Sequence, residues 1–370
     1  MIDTLYIEET VLDHPRTRAV RARLPRAAVI PCRHYGEIFN RRNQHFRLQK
    51  RRPALILARK RDRFLLPAPA AYGLGARRNF YFSHMLNCLY DCRYCFLQGM
   101  YRSAHYVLFV NYEDFQQAIE HQAGRDEVPC HFFSGYDCDS LALEPLTGFV
   151  QAFLPLFRRL PHCLLELRTK STQIRALLRE APLPNCVVAF SLTPEPLRRR
   201  LEHGVPPLER RLAAMERLAR HGWPLGLRFD PLLHDPEHRC DFARLYEELF
   251  TAVFNRLPAA AIHSVSLGVF RMPEDYFRNL LRLHPDDAFL AGPFTGRTGL
   301  TAYREALEAE MLDTCRRLLQ RHVPPDKLFV CTTEAEGAAE GAQAPECRIA
   351  DSAPLSGSIP PQTTMNGHHE

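Results

Sequence analysis

Six short apolar runs, each ending at polar or charged residues, constrain the fold of this chain more than any other feature. The runs cover residues 79–83, 128–133, 163–167, 186–190, 224–229 and 263–269. Segments with helical spacing of apolar residues lie between them, as in 114–121, 148–159, 174–179 and 207–221. Strands that alternate with helices predict βαβ units and a parallel sheet. Six such units predict an α/β fold built around a partial (β/α)6 barrel.

The ends of these runs carry the side chains that are able to do chemistry. In barrels of this kind, functional sites collect at the C-terminal ends of the parallel strands. We therefore expect one mouth to be lined by the loop after the first run together with Ser134, Lys170, Ser191 and Asp230.

The loop after the first run contains three closely spaced cysteines, Cys88, Cys92 and Cys95, in the pattern C-x3-C-x2-C. Thiolates at this spacing can ligate three irons of a [4Fe–4S] cluster, because soft thiolates are the usual ligands of iron–sulfur clusters. The fourth iron would then lack a protein ligand, and an open metal position is typical of a catalytic site. Two alternatives stay open: a zinc site completed by His84, and cysteines that only pack in the core.

The cysteine pattern, with the aromatic Tyr94 before the third cysteine, resembles the signature of the radical S-adenosyl-L-methionine (SAM) enzymes. Other short motifs resemble one branch of that superfamily, the spore photoproduct lyase family, and they lie at residues 6–8, 12–13, 96–98, 110–113, 146–147, 168–170, 190–191 and 223–226. The resemblance implies a radical-SAM partial barrel with two cofactors, a [4Fe–4S] cluster and SAM. It also implies reductive cleavage of SAM to a 5′-deoxyadenosyl radical.

By this resemblance the three cysteines match the cluster ligands, and four further residues are candidates for binding SAM. Tyr94, Lys170 and Ser191 match positions that lie against SAM, and Ser134 joins them from the end of the second run. A lysine also suits the carboxylate of SAM. The alternatives are a solvated strand-end lysine for Lys170 and a helix N-cap ahead of Pro194 for Ser191.

The chain departs from the family at the position of the residue that returns a hydrogen atom to the product radical. The family has a cysteine after the second strand, and that position falls on Tyr136, with Cys138 two residues later. Cys138 and Tyr136 are therefore the candidate catalytic residues. Cys138 as a bystander thiol, or a reaction that needs no returning donor, remain as alternatives. Phe96 also stands where the family usually has a tyrosine.

The family resemblance implies a carbon–carbon lyase that repairs a UV-induced thymine lesion in DNA and is reduced by a ferredoxin- or flavodoxin-type electron donor. Two other functions stay open. One is a radical SAM enzyme that acts on RNA, a protein or a small molecule. The other is a non-enzymatic iron–sulfur protein that binds nucleic acid and senses redox state, although such a sensor needs no polar strand-end set beside its cluster.

The net charge of +6 hides a strongly basic segment near the N-terminus. Residues 15–80 contain 18 Lys and Arg against Glu37 and Asp62, so this segment carries +16 and the remainder of the chain −10. This asymmetry indicates a polyanionic partner, with DNA as the leading candidate. Aromatic residues such as Tyr35 and Phe39 lie among the charges and favour nucleic acid, because bases stack on rings. A solvated basic surface is the alternative.

Composition divides the chain into four regions. We expect a basic N-terminal region (1–75), the barrel (76–285), a C-terminal extension with a helix at 302–321 (286–331), and a disordered tail (332–370) that is poor in large apolar residues. No apolar run reaches the length of a membrane span, and the first residues lack the features of a signal peptide. We therefore expect a cytoplasmic protein whose thiols stay reduced.

Overall fold

A curled sheet of eight strands forms the centre of the structure. The computed structural model describes residues 2–68, 74, 78–125, 128–235 and 241–331. These residues fall within one unit, Met1–Glu340, while a second unit, Gly341–Glu370, lies outside the described residues. The tail predicted for 332–370 therefore lies outside them as well.

The strands, in chain order, are β1 (Thr4–Glu8), β2 (Ala28–Cys32), β3 (Leu55–Ala58), β4 (Leu66–Pro67), β5 (Arg78–Tyr81), β6 (Met85–Leu86), β7 (Asp91–Cys92), β8 (Tyr106–Phe109), β9 (Cys130–Phe133), β10 (Leu164–Thr169), β11 (Cys186–Ser191), β12 (Glu202–His203), β13 (Leu225–Leu232), β14 (Ile262–Val269), β15 (Arg271–Pro273), β16 (Phe294–Arg297), β17 (Leu300–Tyr303) and β18 (Leu328–Cys331). The α-helices are α1 (Pro15–Arg23), α2 (Phe46–Arg51), α3 (Phe96–Met100), α4 (Tyr112–Ala123), α5 (Glu144–Thr147), α6 (Phe149–Arg159), α7 (Glu195–Leu201), α8 (Leu208–His221), α9 (Phe242–Phe254), α10 (Glu274–Leu283) and α11 (Glu305–Leu319).

The main sheet confirms the predicted partial barrel. Its order is β18-β14-β13-β11-β10-β9-β5-β4, and the six predicted runs supply β5, β9, β10, β11, β13 and β14 as consecutive parallel neighbours. Every residue of β9 and of β11 is buried, which explains why these strands are continuous apolar runs in the sequence. The last strand, β18, adds to β14 in parallel and comes from the region after residue 286.

Three of the four predicted helices, α4, α6 and α8, form close to their expected bounds. The prediction for 174–179 is wrong in part, because only a 3-10 turn at Leu177–Arg179 is present. Pro182 and Pro184 follow at once, and proline prevents a helix from continuing. None of the described helices has the length and apolar character needed to cross a membrane.

Strands β1, β2 and β3 of the N-terminal region form a second sheet together with β6 and β8, which come from residues after 76, in the order β2-β1-β3-β8-β6. Histidine rings accept backbone N–H groups at the start of its helical segments: His14 caps α1, His45 caps α2, and His34 caps a 3-10 turn at Tyr35–Glu37. At a helix N-terminus, a Ser, Thr, Asp or Asn side chain usually accepts this hydrogen bond. Strand β6 pairs with β8 at the edge of this sheet, and the loop that follows it carries the three cysteines and pairs with β12 through β7.

The interior of the barrel contains a fully buried ion pair. Glu166 on β10 accepts two hydrogen bonds from the guanidinium of Arg228 on β13, at 2.8 and 3.2 Å. Arg228 also donates to Ser264 on β14, so three adjacent strands share one polar network. Burial alone would raise the pKa of Glu166, but Arg228 and Arg168 outweigh it and hold the pKa far below its usual range.

Loss of the Glu166–Arg228 ion pair is expected to destabilise the protein. We expect Arg228→Met to lower the free energy of unfolding by about 3 kcal/mol, because it leaves the Glu166 carboxylate buried with less compensation. The measurement is the urea midpoint at constant slope. Arg244→Met on the exposed face of α9 is the matched control, with an expected change within about 0.5 kcal/mol. Equal and small losses in the two variants would contradict the prediction.

Candidate active site

A cavity of ≈ 230 Å³ lies at the C-terminal ends of the barrel strands. Strand-end residues and the cysteine loop share its wall, including Tyr81, Phe133, Thr169, Ser191, Asp230 and Val269 together with Cys88, Cys92 and Cys95. The expectation that the strand ends meet at one mouth is therefore confirmed for Lys170, Ser191 and Asp230, which all line this cavity.

The three cysteines form a donor set that suits an iron–sulfur cluster. They line the cavity from one loop, and among the described residues none of the three forms a disulfide or donates a hydrogen bond from its thiol. Two cations, Lys50 and Lys170, act on these thiols and offset part of the burial that raises their pKa values. Bound iron needs thiolates, so positive charge beside the loop favours that form.

His84 is not placed to act as the fourth ligand of a zinc site. Its ring is buried in the core, stacked on Phe149 at 4.1 Å, and it does not line the cavity. Within the described part of the chain, no three or more His, Cys, Asp or Glu side chains form a group that could hold a metal ion. A [4Fe–4S] cluster binds each thiolate at a different iron, so its ligands need not converge on one point.

The backbone of the cysteine loop is held from three sides. Lys50 on α2 donates to the carbonyl oxygens of Cys88 and Tyr90, at 2.6 and 2.9 Å. Gln98 donates to the carbonyl oxygen of Cys92 at 2.7 Å. On the barrel side, β7 pairs with β12, which places Cys92 opposite Glu202. Few alternative backbone positions remain for this loop, as a preorganised ligand set requires.

Glu202 is the centre of a buried polar network that the sequence analysis did not identify. Its Oε1 accepts hydrogen bonds from Lys170 Nζ at 2.8 Å, from Thr193 Oγ1 at 2.8 Å and from the Tyr94 hydroxyl. Arg211 on α8 lies 3.7 Å from Oε2. Burial alone would raise the pKa of Glu202, but Lys170 and Arg211 outweigh it and hold the pKa at about 2. The carboxylate is therefore charged, and it fixes Lys170 and Tyr94 beside the cysteines.

Ser191 lines the cavity at the end of β11, and its carbonyl oxygen accepts a hydrogen bond from Arg211 at 2.8 Å. The N-cap alternative for Ser191 is wrong, because α7 begins at Glu195 with Pro194 at the N-cap position. A serine at a strand end that faces a cavity is free to contact a ligand there.

Ser134 is not brought to the cavity wall, which corrects the expectation that it faces the mouth. It is fully buried, and its hydroxyl donates to the carbonyl oxygen of Glu166 at 2.9 Å and meets Ser140 Oγ at 2.9 Å. The next residue, Gly135, lines the cavity instead. A Cβ at this position would lie 2.8 Å from the carbonyl oxygen of Arg168, so the strand ends approach too closely here for a larger residue. The sequence pattern gives no sign of this close approach between strand ends.

Cys138 and Tyr136, the two candidate catalytic residues, both line the cavity on the turn after β9. Asp139 anchors this turn by accepting hydrogen bonds from Thr169 Oγ1 at 2.7 Å and from the Lys170 backbone N–H at 2.6 Å. Cys138 Sγ lies 3.8 Å from the carbonyl oxygen of Ser134, and burial raises the pKa of its thiol well above the ordinary range. Burial thus favours the protonated thiol of Cys138, a residue that lines the cavity.

Tyr136 belongs to an aromatic group on the same wall. Its ring stacks on Tyr81 with centroids 4.2 Å apart, and Phe96 lies 5.5 Å away. Phe96 carries no hydroxyl, so Tyr81 and Tyr136 supply the phenol groups of this aromatic group. The opposite wall is charged: Arg271 lies 3.8 Å from Asp230, and Arg168 lines the cavity beside them.

Known proteins resemble this chain in sequence and in fold. The family model described as spore photoproduct lyase matches residues 78–272, which is more than half of the chain. The spore photoproduct lyase of Bacillus subtilis (strain 168) is 24% identical over 186 residues, which cover 50% of this chain and 53% of that protein. The chain thus spans about half the length of this curated relative in the matched region.

Two solved structures show the same fold. One is a spore photoproduct lyase double mutant with bound AdoMet and dinucleoside spore photoproduct, with a TM-score of 0.75 and 18% identity over 90% of this chain and 98% of that chain. The other is a mutant with dinucleoside spore photoproduct, with a TM-score of 0.76 and 18% identity over the same shares. At this identity the likeness establishes the fold alone.

The family match runs from β5 through the cysteine loop to β15. It therefore contains all of the candidate ligands, the Lys170–Glu202 network and the turn that carries Cys138. Sequence and fold agree over this segment, and the chain belongs to the spore photoproduct lyase family.

Proposed function

We propose that this protein is a radical SAM lyase that repairs a UV-induced thymine lesion, the spore photoproduct, in DNA by breaking a carbon–carbon bond. The observation that carries the proposal is that one cavity holds both the cysteine triplet and Cys138. A lyase of this kind needs a radical source and a hydrogen donor that both act on the same bound substrate. A redox sensor would need neither Cys138 in the cavity nor the Lys170 network beside the cysteines.

The proposed cofactors are a [4Fe–4S] cluster on Cys88, Cys92 and Cys95, and SAM beside it. When bound, the reduced cluster and SAM supply a 5′-deoxyadenosyl radical, which takes a hydrogen atom from the substrate. The chain's own residues orient SAM and exclude water from the cavity. A relative of the same fold has bound AdoMet, which supports this choice of cofactor.

Lys170 is the best placed residue to orient the carboxylate of SAM. An ammonium group has three N–H donors, and Glu202 and the Tyr94 hydroxyl accept two of them, at 2.8 and 3.1 Å. The third donor is left for a ligand in the cavity that Lys170 lines. Glu202 limits the movement of the ammonium, so little side-chain entropy is lost when SAM binds. Ser191 and Tyr94 line the same part of the wall.

Cys138 is proposed to return the hydrogen atom to the product radical. The S–H bond of the thiol breaks, the hydrogen atom forms a C–H bond on the product, and a thiyl radical stays on sulfur. Burial, which keeps the thiol protonated, supports this role, because a thiolate has no hydrogen atom to give. Tyr136 is the alternative donor through its phenolic O–H.

DNA is the proposed substrate, and a second cavity offers a place for its backbone. Three arginines, Arg23, Arg175 and Arg179, line this cavity of ≈ 290 Å³. Arg175 and Arg179 follow β10 in the chain, and Thr169 at the end of that strand and the next residue, Lys170, line the active-site cavity. We infer that the second cavity binds phosphates beside an extruded lesion. Neither of these two arginines forms an ion pair within the described ranges of the chain.

The enzyme activity is tested with reconstituted, reduced protein. We expect the unmodified protein to absorb visible light as an iron–sulfur protein, to form 5′-deoxyadenosine from SAM and to convert dinucleoside spore photoproduct to thymines. Cys92→Ala should abolish all three properties, because a cluster iron loses its ligand. Cys186→Ala, in the buried strand β11, is the matched control and should keep them. A colourless protein, or no 5′-deoxyadenosine above background, would sink the proposal.

The hydrogen donor is tested by comparing Cys138→Ala with Tyr136→Phe in D2O. S–H and O–H groups exchange with solvent, so the donor should deliver one deuterium to the product. We expect Cys138→Ala to lower the yield of deuterated product at least about tenfold, the change that 1.4 kcal/mol in the barrier produces. Tyr136→Phe keeps the stacked ring and should have little effect. The reverse pattern would assign the role to Tyr136.

The DNA contact is tested through the salt dependence of binding. Each phosphate contact contributes about 0.9 to the slope of log K against log salt concentration for duplex DNA. We expect the double variant Arg175→Ala, Arg179→Ala to lower that slope by about 1 to 2. Arg217→Ala, an exposed arginine on α8, should leave it unchanged. An unaltered slope in the double variant would remove this cavity from the DNA-binding surface.

A further inference from the structure

We propose that α2 and the Cys88–Tyr90 turn form the docking surface for an acidic one-electron carrier protein that reduces the cluster. The inference rests on the proposed function, because only a protein that holds a redox cluster needs such a carrier. We call this surface the α2 patch. It consists of Arg47, Leu48 and Arg51 on α2, Leu89 in the turn, and Arg42 in the segment just before α2.

The α2 patch contains two exposed leucines. Leu48 is 56% exposed and Leu89 is 41% exposed, and they are among the five large hydrophobic residues that the described chain leaves exposed. Single exposed leucines are ordinary. These two lie on elements in direct contact, since Lys50 of α2 donates to the carbonyl oxygens on either side of Leu89, at 2.6 and 2.9 Å. Exposed apolar side chains on adjoining elements are typical of a protein interface.

The α2 patch is also cationic. Residues 41–52 contain five arginines, Lys50 and no acidic residue. Arg47 is ion-paired with Asp91 at 2.7 Å, and Arg52 is ion-paired with Asp3. Arg42 and Arg51 are exposed, and neither has an ion pair or a side-chain hydrogen bond within the residues that the structure describes. Unpaired positive charge beside exposed apolar side chains favours binding of an acidic protein, because the charge attracts that protein and orients it on the surface.

The α2 patch also lies one residue from a proposed cluster ligand. Leu89 directly follows Cys88, and neighbouring Cα atoms are about 3.8 Å apart. Cys88 and Tyr90, on either side of Leu89, line the cavity that SAM and substrate would fill, whereas Leu89 does not line it. A carrier on the α2 patch can therefore deliver an electron without entering the active site. The step moves one electron and no proton: the carrier is oxidised by one electron and the cluster is reduced by one.

Nucleic acid is a weaker match for this surface, although its charge would attract phosphates. Proteins that bind single strands stack bases on exposed aromatic rings. The aromatic residue of α2, Phe46, is buried, and the exposed apolar side chains of the patch are leucines. Leucine at this position contributes to contact with an apolar protein surface rather than with a phosphate backbone.

The test measures carrier binding and cluster reduction separately from repair. Flavodoxin and a ferredoxin, both acidic carriers, serve as probes, and their dissociation constants for the reconstituted protein are measured at low and high salt. Stopped-flow absorbance then follows reduction of the cluster by each reduced probe. We expect Leu48→Glu and Arg51→Glu each to weaken binding roughly 5- to 20-fold at low salt and to slow reduction in proportion.

The matched controls carry the same substitutions elsewhere. Leu281→Glu replaces a leucine of α10 that is 39% exposed, and Arg217→Glu replaces an exposed arginine of α8. Both should bind the probes like the unmodified protein. All four variants should keep their iron content and should cleave SAM normally when dithionite, which needs no docking site, is the reductant.

The outcomes separate this inference from the proposed function. No SAM cleavage with dithionite in the unmodified protein would overturn the proposed function and the need for a carrier with it. Normal cleavage with dithionite, combined with unchanged binding and reduction in Leu48→Glu and Arg51→Glu, would overturn the α2 patch alone. Failure of both probes to bind the unmodified protein would do the same. Weaker DNA binding with unchanged carrier binding would assign the patch to nucleic acid.

Discussion

The buried carboxylate of Glu202 is the group on which the candidate active site depends. It joins three parts of the chain that lie far apart in sequence: Tyr94 in the cysteine loop, Lys170 at the end of β10 and Thr193 after β11. A charge without partners in this position would cost several kcal/mol of desolvation. Lys170 and Arg211 offset that cost, so the loop, the strand end and α8 fix one another. The cysteines are thus positioned by the barrel as well as by their own spacing.

The barrel could be predicted from the sequence because its strands are covered on both faces. A doubly buried strand is a continuous apolar run, and β11 has no exposed residue at all. The N-terminal sheet gives no such signal. Four of the five residues of β2 are exposed, and the strand exists through its pairing with β1, a long-range contact that local periodicity does not record. The failed helix at 174–179 shows the opposite limit, where nearby prolines override favourable spacing.

The site could be predicted only where a residue type carries its own chemistry. The spacing of the cysteines and the strand-end position of Lys170 point to the cavity, whereas Glu202 lies next to three arginines and looks like an ordinary surface acid. Ser134 shows that a strand-end position does not fix the direction of a side chain, since a carbonyl oxygen of β10 holds its hydroxyl. Charge counting also overstates the basic surface, because Arg16 and Lys50 use their charges inside the fold.

Leu89 is exposed and directly follows Cys88, one of the three proposed cluster ligands. If Cys88 holds a cluster as proposed, that cluster lies near the protein surface, where a small solute such as molecular oxygen needs no docking site to approach it. Solvent access is one of the factors that govern how readily such a centre is oxidised. A partner seated over Leu48 and Leu89 would therefore shield the proposed cluster during the interval when it is reduced and most reactive. On this proposal, the surface that shortens electron delivery would also expose the resting protein to oxidation by air.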